Sequence, residues 1–208
     1  MHTTTIALIR HGETSWNAEF RIQGRTDIAL NDRGVAQSIE VAQTLSDREW
    51  HRVFTSPLQR ASVTAALIAR ELQLDDPEHR EELIERDFGA AEGLPGGPEL
   101  DAVRIGPGEF LGAESEREVG MRGFEALELL HEHHGGSNLI VVSHGSYIRC
   151  TLDTVFGFSA PRIRNTGVTL LRRHEEGWSM DLLNDEPVEL HVPHSTITTR
   201  LLDGTLEA

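Results

Sequence analysis

Two short apolar runs in this chain break on the same pair of residues, a histidine followed by a glycine. Ile6 to Ile9 runs into Arg10-His11-Gly12, and Asn138 to Val142 runs into Ser143-His144-Gly145. Runs of this length read as buried strands, and a glycine at the break permits a sharp turn or the close approach of another group. Ligands of open α/β sheets bind at the carboxyl ends of the strands, which makes both histidines candidates for chemistry. Arg10 adds a planar, permanently charged fork suited to an anion, and its charge disfavours the imidazolium, keeping His11 neutral and nucleophilic near pH 7. Alone, Arg10-His11 is better read as an ordinary surface pair at a strand end; the remaining residues reverse that reading. A third apolar segment, Arg52 to Ser56, leads into a helix carrying Arg60 near its N-terminus, where unpaired N–H groups favour anions. Glu85 follows a further extended stretch. Brought together, one histidine can attack phosphorus, two arginines and the second histidine can hold the phosphoryl oxygens, and a carboxylic acid can protonate the leaving oxygen.

Positioning these groups requires an alternation of strands and helices. Asn31 or Asp32 caps a helix whose apolar face reads Val35, Ile39, Ala42 and Leu45. Pro57 suits the first turn of the next helix, which presents Leu58, Ala61, Ala65, Ile68 and Leu72 on one side. Glu13 to Leu30 reads as loop, Glu78 to Ile84 as a short extended segment, and the Gly/Pro-rich stretch 93–112 as a long loop with at most a helical turn. Ser115 opens a helix to about His134 with Phe124, Leu127 and Leu130 inward, and the helix after His144 buries Ile148, Leu152, Val155 and Phe156. Val168 to Arg173 and Trp178 to Leu183 form a hairpin across Glu175-Glu176-Gly177. The tail after Asn184 shows no pattern. The expected fold is α/β: a doubly wound, mostly parallel sheet with helices on both faces and an antiparallel edge, in a single domain over residues 1–208.

Composition narrows the function. A formal net charge of −15 argues against nucleic-acid binding and against an anionic membrane surface, so any anion site must be a local concentration of arginine in an acidic field. No apolar run approaches the length of a membrane span, the N-terminus carries no signal-peptide pattern, and the one cysteine, Cys150, fits a buried thiol in a reducing compartment. A cytoplasmic protein is expected.

With these residues in view, the chain resembles the histidine phosphatase superfamily, also called the phosphoglycerate-mutase-like family. The resemblance rests on Arg10-His11-Gly12-Glu13-Thr14 with Trp16-Asn17, on Gly24, Asp27, Leu30, Gly34 and Gln37, and on Thr55-Ser56-Pro57-Leu58-Gln59-Arg60-Ala61 with Thr64. Glu85, Phe88-Gly89, Glu92-Gly93 and Ser143-His144-Gly145 complete it. It implies a phosphohistidine formed on His11, and a phosphate pocket of Arg10, Arg60 and His144 with Asn17 assisting. Glu85 would be the acid that protonates the leaving group and then the base that activates water; Gln23, Gly24 and Gly145 would be substrate-binding. No metal or other cofactor is implied, the partner is a small-molecule phosphate ester, and a homodimer is left open.

Each residue also has a plainer reading. Asn17 can be a turn former and Gln23 a loop residue; Glu81, Glu82 and Asp87 compete with Glu85, which fits the spacing before Phe88-Gly89. Ser56 is read as bonding backbone at a strand end. His131, His133, His134, His191 and His194 are read as solvated rather than as metal ligands. Within the family, mutases usually carry a longer insertion with a paired arginine, whereas Leu94 to Glu114 here is short with Arg104 its only basic residue; Ser146, Asp87 and Phe88 also depart from the mutase pattern, and Gly112-Ala113-Glu114-Ser115 resembles the phosphatase branch. Ala91 stands where many phosphatases have a tryptophan, a change expected to widen the pocket mouth, and the sparse basic charge of Leu94 to Glu114, read as the lid, argues against multiply phosphorylated substrates. The resulting expectation is a metal-independent phosphomonoester hydrolase. A cofactor-dependent phosphoglycerate mutase is the alternative, and a non-catalytic phospho-ligand binding module the third reading.

Overall fold

The computed structural model describes residues 3–203. In chain order the elements are β1 (Thr4–Arg10), α1 (Ser15–Ala18), α2 (Asp32–Leu45), β2 (Arg52–Thr55), α3 (Gln59–Glu71) and β3 (Glu78–His79). After 3-10 turns at Glu81–Leu83 and Gly89–Ala91 come α4 (Pro98–Ala102), β4 (Arg104–Gly106), β5 (Glu109–Phe110), α5 (Glu116–His134), β6 (Asn138–Ser143) and α6 (Gly145–Phe156). β7 (Val168–His174), β8 (Gly177–Leu183), β9 (Glu186–Pro193) and α7 (His194–Asp203) close the described chain.

Seven strands form one sheet in the order β3-β2-β6-β1-β7-β8-β9. β3, β2, β6 and β1 pair in parallel, and β7, β8 and β9 continue as an antiparallel meander. All seven residues of β1 are buried, as a central strand covered on both faces must be. Alternation divides them: Ile6 and Leu8 join the core beneath α5 and α6, while Ala7 and Ile9 join the core beneath α2 and α3. This is the doubly wound, single-domain α/β architecture expected, with the antiparallel edge one strand longer.

The differences have local causes. Val35 is exposed, and α2 instead buries Gly34, Ser38, Val41, Ala42 and Leu45. The helix is rotated because Gly34 abuts the turn after β1: a Cβ on Gly12 would lie 2.4 Å from the Gly34 carbonyl oxygen, and one on Gly34 would lie 2.1 Å from that of Glu13. Pro57 precedes α3 rather than entering its first turn. Leu58 is the N-cap and contributes no side-chain hydrogen bond; Asp27 reaches across to accept from the Gln59 N–H at 2.8 Å. Glu13 to Leu30 contains α1, closed by a capping box between Thr14 and Asn17. Within 93–112, α4 and a β4–β5 ribbon pack Ala91, Leu100 and Phe110 into a satellite core. Ala91 is fully buried there.

The patternless tail is the largest miss. β9 pairs along β8, and Ile197 of α7 is fully buried against the α5–α6 core. Cys150 is buried as expected, with burial pushing its thiol up to about 12. Among the described residues no group of three or more side chains is arranged to hold a metal, and no helix is long and apolar enough to cross a membrane. His131 and His134 are half-buried rather than solvated: His131 Nδ1 hydrogen-bonds Thr4 Oγ1 at 2.8 Å, and the His134 ring packs on Phe54.

Candidate active site

Register brings three strand ends together. Arg10 pairs with Ser143 and Thr55 with Val142. Beyond the strands, His11 N–H donates to the Ser143 carbonyl at 3.0 Å and Ser56 N–H to that of Val142 at 3.1 Å. His11, Ser56 and His144 therefore leave the sheet side by side, at the carboxyl ends of parallel strands.

His11 Nδ1 lies 2.7 Å from its neighbouring Gly12 carbonyl oxygen. A carbonyl can only accept, so Nδ1 carries the proton and Nε2 keeps its lone pair. Arg60 Nε donates to that Nε2 at 3.2 Å, while its Nη2 and Nη1 donate to the carbonyls of Gly24 at 2.6 Å and Thr26 at 2.9 Å. Gly24 meets Arg60 in a left-handed turn (φ +55°), in which a Cβ would collide with the Glu92 carboxylate. Glu92 holds this turn through the N–H groups of Arg25 and Thr26, which explains a half-buried acid so near an anion site.

Arg10 Nη1 donates to the Ile163 carbonyl at 2.8 Å, and its buried Nε has no partner among the described residues. Burial brings this guanidinium down to about 10, still fully charged at neutral pH. Gly145 leaves it room, since a Cβ there would lie 3.3 Å from Arg10 Nε. The His144 ring stands 5.2 Å from that of His11, centroid to centroid. Ser56 Oγ lies 2.7 Å from His144 Nε2 and accepts from the Leu58 N–H. The hydroxyl proton has no other acceptor among the described residues, so Ser56 donates to Nε2 and the proton of His144 sits on Nδ1, a buried atom without a partner. Both imidazoles are held well below the ordinary histidine range, by burial first and then by Arg60 and Arg10, so both are neutral at pH 7.

Glu85 is buried, and its carboxylate accepts three backbone N–H groups: Arg86 and Tyr147 at 2.8 Å and Ser146 at 3.2 Å. Its own carbonyl takes Arg122 Nη2, and Arg122 in turn is fixed by Glu114. Burial would raise the Glu114 carboxyl, but its hydrogen bonds and charge pairing with Arg122 prevail and hold it below the ordinary value. Glu81, Glu82 and Asp87 do not line the cavity.

A cavity of about 400 Å³ joins these groups. It is lined by Arg10, His11, Asn17, Gln23, Gly24, Arg60, Glu85 and Gly145 among the expected residues; His144 lies beneath, against His11. Asn17 serves both readings: its Oδ1 accepts from the Thr14 N–H within the capping box and from Asn165 Nδ2, while its side chain borders the cavity. Gln23 is buried, with Oε1 accepting from Thr14 Oγ1. Sequence reasoning missed Ser56 as the partner of His144, and Asn165, whose Nδ2 also donates to the His11 carbonyl at 2.9 Å. The apolar rim of Phe20, Ile22, Phe88 and Ile163 and the arginines Arg21, Arg149 and Arg162 were likewise unforeseen.

Comparison with known proteins agrees with this geometry. The model of the histidine phosphatase superfamily (branch 1) matches residues 6–186. A metal-independent phosphoserine phosphatase of Arabidopsis thaliana is 32% identical over 88% of this chain and 82% of its own length. The probable phosphoglycerate mutase GpmB of Salmonella paratyphi A is 32% identical over 83% and 86%. Among solved structures, phosphoserine phosphatase from Entamoeba histolytica in complex with 3-phosphoglyceric acid superimposes with a TM-score of 0.76 at 28% identity, covering 88% of this chain and 98% of that one.

Proposed function

This chain belongs to the histidine phosphatase superfamily, and we propose that it is a metal-independent phosphomonoester hydrolase acting on small phosphorylated metabolites through a phosphohistidine. The observation that carries this reading is the state of His11: a buried neutral imidazole, its Nδ1–H committed to Gly12 and its Nε2 lone pair directed at Arg60. An incoming phosphate oxygen replaces Nε2 as the acceptor of Arg60 Nε. Nε2 then attacks phosphorus as the ester oxygen departs, Glu85 protonates that oxygen, and water deprotonated by Glu85 later cleaves the N–P bond. Arg10, Arg60 and the His144 Nδ1–H balance the charge on the three spectator oxygens, with Asn17, Gln23, Gly24 and Gly145 shaping their surroundings.

Hydrolysis is preferred to mutase chemistry because the lid supplies no arginine to the cavity. Arg104, its one basic residue, pairs with Asp101 and stacks on Phe110 instead. The test is release of inorganic phosphate from a panel of phosphomonoesters, with chelator present and bisphosphoglycerate absent, together with rapid-quench trapping of an acid-labile phosphoenzyme. Both signals are expected in the wild type and neither in His11→Ala. Interconversion of 3- and 2-phosphoglycerate that appears only on adding bisphosphoglycerate would move the chain to the mutase reading, and binding without turnover to the non-catalytic one.

A further inference from the structure

All 19 basic residues of this chain are arginines, and five of them face the cavity together with only one of its 34 acidic residues, Glu85. Such a bias in a chain of net charge −15 is local and demands an anion. The charges can be assigned one by one. Arg10 and Arg60 match a phosphate dianion. Arg21 is taken by Glu19 at 2.8 Å, and Arg149 by Glu116 and Asp153. Arg162 remains: it is exposed, lines the cavity, and pairs with no carboxylate among the described residues, whereas its neighbour Arg164 is taken by Asp185.

The backbone that presents Arg162 is held on both sides. Arg10 Nη1 is bound to the Ile163 carbonyl, one residue on. From the β8–β9 turn, Asn184 donates Nδ2 to the Arg162 carbonyl at 3.1 Å and accepts the Arg164 N–H at 2.9 Å. Asn184 is buried and adopts φ +53°, a conformation that asparagine tolerates. The same loop thus anchors the arginine of the inner pocket and carries a second, unpaired guanidinium at its mouth.

We propose that Arg162 binds a carboxylate of the substrate, so that the preferred ester is a phosphorylated carboxylic acid rather than a phosphorylated alcohol or sugar; this rests on the phosphomonoester reading above. One unpaired guanidinium matches one additional negative charge, and a planar fork suits a carboxylate. The residue stands on the α6–β7 loop and not in the lid, so the sparse basic charge of the lid does not exclude a second anionic group.

3-Phosphoglycerate and glycerol 3-phosphate differ only in a carboxylate against a hydroxymethyl group. The wild type is expected to favour the former by about tenfold or more in kcat/KM, the scale of one charge-assisted hydrogen bond. Arg162→Ala should erase most of that preference by raising KM for 3-phosphoglycerate, with kcat far less affected. Calorimetric binding of the same two esters to His11→Ala protein, with and without Arg162→Ala, reads the discrimination without turnover. Discrimination that depends on Arg162 in the absence of any phosphate release would uphold the carboxylate site while overturning hydrolysis. Equal losses on both esters, or a preference that survives Arg162→Ala, would overturn the site. An Arg162-dependent preference for fructose 1,6-bisphosphate over fructose 6-phosphate, with none for the carboxylate, would overturn its assignment to a carboxylate.

Discussion

Arg60 Nε and His11 Nε2 stand 3.2 Å apart, so the guanidinium placed to hold a phosphoryl group rests on the atom placed to attack it. The contact works in one orientation only, because Gly24 and Thr26 fix the other two nitrogens of the fork. Arg60→Lys preserves the charge and forfeits that geometry. We expect kcat/KM on an aryl phosphate to fall by about 10²–10³, the scale of one lost oxyanion donor, and the thermal midpoint to drop as well, because a lysine cannot serve both the Gly24 and Thr26 carbonyls from this buried position. A fall below tenfold would mean that charge alone suffices.

The buried neutral histidines make stability depend on pH. Above about pH 6.5 both His11 and His144 are neutral whether the chain is folded or not, and neither exchanges a proton on unfolding there. Below it the unfolded chain binds protons that the folded chain refuses, so stability falls as pH drops, by up to about 1.4 kcal/mol per pH unit for each histidine. Urea unfolding across this window should show the loss, with a shallower slope in His144→Asn. An unchanged slope would assign the loss to other groups.

Glu85 is held by three backbone N–H groups at the start of α6 and at Arg86, so Glu85→Gln tests the transferable proton with little change of shape. Because kcat/KM reports only steps through formation of the phosphoenzyme, it isolates the acid role. Alkyl phosphates should be slowed by about 10²–10⁴, the range for general acid catalysis, and para-nitrophenyl phosphate far less. Equal slowing would remove Glu85 from that role.

The packing of Gly34 on the turn after β1 supplies a structural prediction. Alanine favours helices over glycine by about 1 kcal/mol, yet a Cβ at Gly34 would meet the Glu13 backbone at 2.1 Å, a contact that no rotamer relieves. Gly34→Ala should therefore cost about 1–3 kcal/mol in urea unfolding, as overpacking does. It should also lower kcat/KM by displacing His11. A gain in stability would show that the turn yields easily.

Legibility followed the range of the signal. β1, β2, β6 and α3 were readable because burial on both faces, or a regular apolar face, is written in consecutive residues, and the site residues inherit their places from strand ends. β9 carries the alternation Val188, Leu190, Val192, but it lies between two prolines on a sheet edge where only Val192 is buried. A half-exposed edge strand leaves little hydrophobic contrast to detect. The face of α2 was misplaced because its tightest contact uses glycines, which carry no apolar signal. Asn165 binds the His11 carbonyl from 154 residues away, and nothing local to either residue announces such a pairing.

Ser56 is the sharpest of these omissions, and it is testable. Its hydroxyl accepts from the Leu58 N–H at 3.3 Å and donates to His144 Nε2 at 2.7 Å, which leaves the imidazole proton on Nδ1. Ser56→Ala removes the donor and frees His144 to carry its proton on Nε2. We expect about 1–3 kcal/mol of destabilisation from the unpaired buried nitrogen and weaker binding of inorganic phosphate. We also expect kcat to fall by about tenfold, the equivalent of 1.4 kcal/mol. Those losses alone would fit a merely structural serine, so the deciding measurement is the ¹⁵N spectrum of the His144 ring. The wild type and Ser56→Thr should show the Nδ1–H form, and Ser56→Ala a mixture of tautomers. An unchanged ring spectrum in Ser56→Ala, whatever its activity, would show that the tautomer of His144 is set elsewhere.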